Sequence, residues 1–126
     1  QNAAARLIFR APKSDHVSLL LRKLHWSPIS CRIEHKMSSL CYSSLSGTGP
    51  QYLSDLTQVY TSCRCLRSSS DTRILKIPKV KTKSYGQRSF AYQGPIIWNK
   101  LPLEIRHQGK IDGLKQALKT YLFRCQ

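Results

Sequence analysis

Gly94-Pro95-Ile96-Ile97-Trp98-Asn99-Lys100-Leu101-Pro102-Leu103-Glu104-Ile105-Arg106 sets a tryptophan and three aliphatic residues between two prolines. A proline fixes its own φ and crowds the residue before it out of the helical region, so Gly94 and Leu101 are expected to be extended or turning. About two helical turns fit between them, and Ile97, Trp98 and Leu101 then share one face. A tryptophan brings a large apolar area with a single N–H to satisfy. The string reads as an apolar plug that anchors a core, with Arg106 at its end.

Helical periodicity surrounds the plug. Ala3, Leu7 and Ile8 fall at helical spacing until Pro12. Val17, Leu20, Leu21 and Leu24 follow at i, i+3, i+4 and i+7 behind Asp15, a candidate N-cap. Ser27-Pro28 opens a longer segment with the stripe Ile29, Ile33, Met37, Leu40, Cys41 and Leu45, and Gly47 stands where a left-handed cap would close it. Gly49-Pro50 starts a short helix with Tyr52, Leu53 and Leu56. After the plug, Ile111, Leu114, Leu118, Tyr121 and Leu122 share a face of a last helix.

The middle of the chain breaks this pattern. Cys63 to Asp71, with Ser68-Ser69-Ser70 at its centre, reads as a loop. Ile74, Leu75 and Ile77 before Pro78 predict a short strand, and the alternation of Arg88, Phe90 and Tyr92 predicts a second. Residues 79–86 are too many for a tight hairpin turn and form an exposed basic loop. The expected fold class is therefore α+β, mainly α-helical, with about five short helices around a small two-stranded β element. Residues 1–12 read as the end of a preceding helix, and residues 13–126 as one small basic domain. Because Asn2 to Leu7 reads as helix already under way, the chain is expected to be a fragment of something longer.

Charge is the strongest compositional signal. The 126 residues carry 21 Lys and Arg against 6 Asp and Glu, a net +15, and such a field attracts polyanions, of which nucleic acid is the commonest in a cell. Between residues 60 and 92 stand Arg64, Arg67, Arg73, Lys76, Lys79, Lys81, Lys83 and Arg88 against the single acid Asp71. Lys79, Lys81 and Lys83 alternate, so on extended backbone they would line one side about 6.5–7 Å apart, near the phosphate spacing of one strand. Tyr85, Phe90 and Tyr92 follow and offer rings for stacking on bases, although Phe90 and Tyr92 suit a buried hairpin face equally well.

Other chemistry is poorly served. No two acids adjoin as a two-metal polymerase site requires. Cys63-x-Cys65 is too tight for a zinc knuckle, and no Cys or His nearby completes four ligands. His16, His25, His35 and His107 are scattered, with no nucleophile in a glycine-flanked turn. No cofactor, metal or catalytic residue is expected. Five cysteines without repeated spacing, and no leader-like segment before them, point to a reducing, intracellular setting, nuclear or cytoplasmic. Leu19-Leu20-Leu21 is the longest run of branched aliphatics, far short of a membrane span, so no membrane partner is expected.

Several pieces in order carry a resemblance: Leu24-His25-Trp26-Ser27-Pro28, Gly47-Thr48-Gly49-Pro50-Gln51-Tyr52-Leu53, Leu66-Arg67-Ser68, Gly86-Gln87-Arg88-Ser89-Phe90, the plug itself, and Leu114 to Phe123. Together they resemble the C-terminal end of the reverse-transcriptase polyprotein of non-LTR retrotransposons, the LINE elements of jockey and chicken-repeat type, over nearly the whole chain. The resemblance implies a segment downstream of the catalytic palm, beginning near the end of the thumb. It further implies a non-catalytic module that grips template RNA, the RNA–DNA hybrid or target DNA, beside the remainder of the polyprotein. On that reading Trp26, Tyr52, Leu53, Trp98, Leu101 and Leu122 hold the fold. Arg64, Arg67, Arg73, Lys76, Lys79, Lys81, Lys83, Arg88 and Arg106 face the nucleic acid. Ser27, Cys63 and Cys65 depart from the family pattern, as does the lack of a zinc knuckle. These departures sustain an alternative: an orphan retrotransposon-derived protein, either a relic or a recruited protein-interaction module.

Overall fold

A computed structural model describes residues 1–61 and 73–124. Seven α-helices lie among them: α1 (Asn2–Phe9), α2 (Val17–Lys23), α3 (Ile29–Leu45), α4 (Gln51–Leu56), α5 (Phe90–Lys100), α6 (Leu103–Arg106) and α7 (Ile111–Arg124), with a 3₁₀ turn at Gly86–Arg88. The helix α3 packs against both α5 and α7 around Trp98, Cys41, Leu114 and Leu118, all fully buried. A smaller cluster joins α1 to α2 through Ala5, Leu20 and Leu21, with Trp26 half-buried against it. Ala5, before Pro12, thus packs with Leu20 and Leu21 beyond it. Gln1 bonds the Ser27 carbonyl at 2.9 Å, and the His25 ring leans on Phe123 at 5.6 Å.

The longest helix ends as its sequence predicts. Gly47 takes φ +66°, and the N–H groups of Thr48 and Gly49 turn back to the Ser43 carbonyl at 3.1 and 3.0 Å. At the start of α2 the expectation fails, because His16 occupies the N-cap position in place of Asp15. The buried faces also differ in part: α1 turns Ala5 inward and leaves Leu7 exposed, and Tyr52 of α4 is exposed.

The α+β expectation is overturned, since no strand is present among the described residues. Residues 58–60 and 74–76 meet only in an isolated antiparallel bridge between Val59 and Leu75, through Tyr60 N–H to Ile74 O and Lys76 N–H to Gln58 O, both 2.8 Å. The second expected strand is the first turn of α5. Ser89 is extended at φ −66°, ψ 151°, and its carbonyl accepts from Gln93 N–H at 2.9 Å. Alternation over Arg88, Phe90 and Tyr92 is three points long, whereas Phe90, Gly94, Ile97, Trp98 and Leu101 keep a helical period over three turns. The longer pattern governs burial.

Pro95 does not break that helix, contrary to the proline rule applied to Gly94. The rule rests on clashes of the proline ring with the preceding residue's N–H and Cβ, and Gly94, having no Cβ, is spared the second. The same missing Cβ lets α5 close on α3, since a carbon there would stand 3.0 Å from the Cys41 sulfur. At the second proline the expectation holds: Leu101 is extended at φ −70°, ψ 145°, and ends α5.

Candidate nucleic-acid interface

The plug does more than fill the core. Trp98, fully buried, donates its indole N–H to the Arg73 carbonyl at 2.7 Å. The next side chain, Asn99, takes the Leu75 N–H on its oxygen at 2.9 Å and donates its amide to the Leu75 carbonyl at 2.8 Å. Two consecutive residues of α5 thereby fix residues 73–75, and those residues are the root from which the basic loop leaves the core.

The predicted cations divide into three groups. Lys76, Lys79, Lys81, Lys83 and Arg88 are exposed along the loop. Arg73 and Arg106, also expected to face nucleic acid, turn inward to backbone carbonyls. Arg73, half-buried, donates to the carbonyls of Arg106 and Gln108 at 2.7 and 3.3 Å. Arg106 is buried and donates its Nε–H to the Leu101 carbonyl at 3.0 Å. A guanidinium donates to carbonyls as well as to phosphates, and the ends of α5 and α6 leave carbonyls in need of donors. Arg64 and Arg67 lie outside the described residues.

The loop is closed by its own hydrogen bonds. The Thr82 hydroxyl accepts from Gly86 N–H at 3.0 Å, its carbonyl accepts from Gln87 N–H at 3.2 Å, and the Ser89 hydroxyl donates to the Gly86 carbonyl at 2.7 Å. Val80, half-buried between exposed Lys79 and Lys81, folds back toward Gly86. Of the three rings expected here, Phe90 packs against the core and Tyr92 is half-buried, while Tyr85 stands in solvent.

A second surface feature was not foreseen. The first half of the α3 stripe is largely uncovered among the described residues: Ile29 and Ile33 are 63% and 56% exposed. They line a groove of about 580 Å³ with Met37 and Leu122, edged by Arg32, Lys36 and Lys119. Periodicity marks an apolar face without saying what covers it.

Among the described residues no three His, Cys, Asp or Glu gather to hold a metal ion. The Cys41 thiol, pushed up to about 12 by burial, stays protonated and unreactive. No helix among the described residues is long and apolar enough to cross a membrane. Compared with protein-family models, curated proteins and solved structures, the chain matches none.

Proposed function

We propose that this chain is a non-catalytic nucleic-acid-handling module that grips RNA or DNA by charge through its basic loop. The observation that carries the reading is the loop's composition and placement together. Lys76, Lys79, Lys81, Lys83 and Arg88 are all exposed, and no carboxylate occurs between Asp71 and Glu104 to neutralise them. Fixing residues 73–75 through Trp98 and Asn99 holds the base of this array in place, which lowers the ordering cost of binding. The resemblance to the C-terminal segment of LINE reverse transcriptases supports the same reading and makes the rest of such a polyprotein its natural companion.

Salt dependence tests it. If the loop neutralises Z phosphates, log K falls against log salt with a slope of about −0.9Z on duplex DNA or about −0.7Z on single strands. Changing Lys79, Lys81 and Lys83 together to Ala flattens that slope by about 2–3 and leaves the melting temperature nearly unchanged. A control triple at Lys110, Lys115 and Lys119, exposed on and beside α7, has a smaller effect. Equal weakening by both triples reduces the loop to its share of net charge, and no weakening by either defeats the reading.

The groove beside Ile29 and Ile33 favours a second reading, a protein-interaction module. Its apolar floor and cationic edge suit an acidic amphipathic helix. Ile33→Asp would abolish such an interaction while leaving the salt slope for nucleic acid intact.

A further inference from the structure

Tyr85 is 85% exposed, the most exposed large apolar side chain among the described residues. Its backbone, however, is tightly held. Thr82 grips the N–H groups of Gly86 and Gln87, and the Tyr85 carbonyl accepts from Arg88 N–H at 3.2 Å. On the inner side Val80 comes so close that a Cβ on Gly86 would stand 2.9 Å from its own Cβ. A ring that merely lacked a place in the core would need no such support. Here the chain on both sides is fixed and the ring is held outward.

Lys81 and Lys83 are exposed within the same closed turn. Two residues of chain reach at most about 7 Å, so Lys83 and Tyr85 leave the backbone within about one nucleotide step of each other. We propose that Tyr85 is a stacking platform for an unpaired base, which makes the loop selective for single-stranded nucleic acid, RNA or DNA, over duplex. This inference rests on the charge-driven reading above. Lys81 and Lys83 hold phosphates while the ring covers one face of the intervening base. In a duplex both faces of each base are already stacked on neighbours, so the ring gains nothing and only the lysines contribute. Every base has a π-face, so the selectivity is for strandedness and not for sequence.

The experiment compares the full chain with Tyr85→Ala and Tyr85→Phe on oligothymidylate, oligouridylate and a DNA duplex of equal length, across a salt series. Tyr85→Ala is expected to lose roughly tenfold in affinity for both single strands, with duplex affinity and all salt slopes unchanged. Tyr85→Phe, which keeps the ring, is expected to retain single-strand binding. A loss on oligouridylate alone, or on oligothymidylate alone, restricts the platform to RNA or to DNA and overturns the inference as stated. Equal loss on duplex and single strands overturns the strand selectivity. If Tyr85→Ala loses nothing while the triple change at Lys79, Lys81 and Lys83 still weakens binding, stacking fails and the charge-driven reading stands. If neither change weakens binding, both fail.

Discussion

Asn99 holds Leu75 as a neighbouring strand would, its side-chain amide facing the Leu75 peptide with one bond in each direction, at 2.9 and 2.8 Å. A carboxamide carries a donor and an acceptor side by side, as does a peptide group, and here it substitutes for the missing strand.

Removing that amide leaves two peptide groups of a residue that is 1% exposed without partners. Asn99→Leu is expected to cost about 3 kcal/mol, since each orphaned buried group costs roughly 1–3 kcal/mol. Thermal or urea unfolding measures it. Asn99→Asp adds a pH signature. Its carboxylate would face the Leu75 carbonyl, which disfavours the charged form and raises the folded-state pKa above the unfolded value of about 3.9. The variant is then closest to the parent below about pH 4, where the neutral acid still donates, and falls behind as pH rises through the folded pKa.

Gly94→Ala is expected to destabilise by roughly 1–3 kcal/mol through overpacking. The new methyl would meet the Cys41 sulfur at 3.0 Å and the Phe90 ring at 3.3 Å. Pairing it with Cys41→Ala removes the nearest obstacle, so the double variant should cost less than the sum of the singles. Strict additivity in the double-mutant cycle would contradict the contact.

Arg106 and Arg88 provide an opposed pair. Arg106→Gln is expected to lower the melting temperature and leave the salt slope for nucleic acid unchanged, because its guanidinium serves the Leu101 carbonyl from a buried position. Arg88→Gln is expected to do the reverse, being exposed on the loop. Melting curves and a binding salt series on both variants decide the matter.

Cys41 is expected to resist alkylation in the native chain and to react on unfolding, because burial both excludes the reagent and pushes the thiol up to about 12. Peptide mapping after a brief iodoacetamide pulse reads this directly. The sign for stability follows from the same shift. The folded pKa lies above the unfolded value, so this contribution is intact below about pH 9 and is lost as pH rises toward 12.

Helix periodicity made part of the framework legible: α2 and α7 bury Leu20 and Leu21, and Leu114 and Leu118, as their spacings require, whereas α3 buries only Cys41 of its expected stripe and turns Ser38, Tyr42 and Ser44 inward beside it. The Gly47 cap and the extended Leu101 follow from local sterics and were equally readable. What misled was rules taken without their cause. Proline disfavours a helical predecessor by crowding its N–H and its Cβ, and Gly94 is spared the Cβ part. Arginine was assigned to the surface by its charge, yet Arg73 and Arg106 are spent on backbone carbonyls that no pattern announces. At the interface the exposed lysines were legible from composition, whereas the singling out of Tyr85 from Phe90 and Tyr92 depends on where α5 begins.

The clasp of Asn99 on Leu75 also settles what a stray copy of the chain can do. A short extended segment normally presents an open row of amides to any passing strand, the route to sheet-like aggregates. On one side Leu75 is flanked by residues 58–60, and on the other its N–H and C=O are both taken by an amide that continues into helix α5. A side chain cannot template the next strand as a backbone would. The extended segment at the root of the loop is thus capped against growth from that side, and the loop can stay rich in lysine and solvent without seeding self-association.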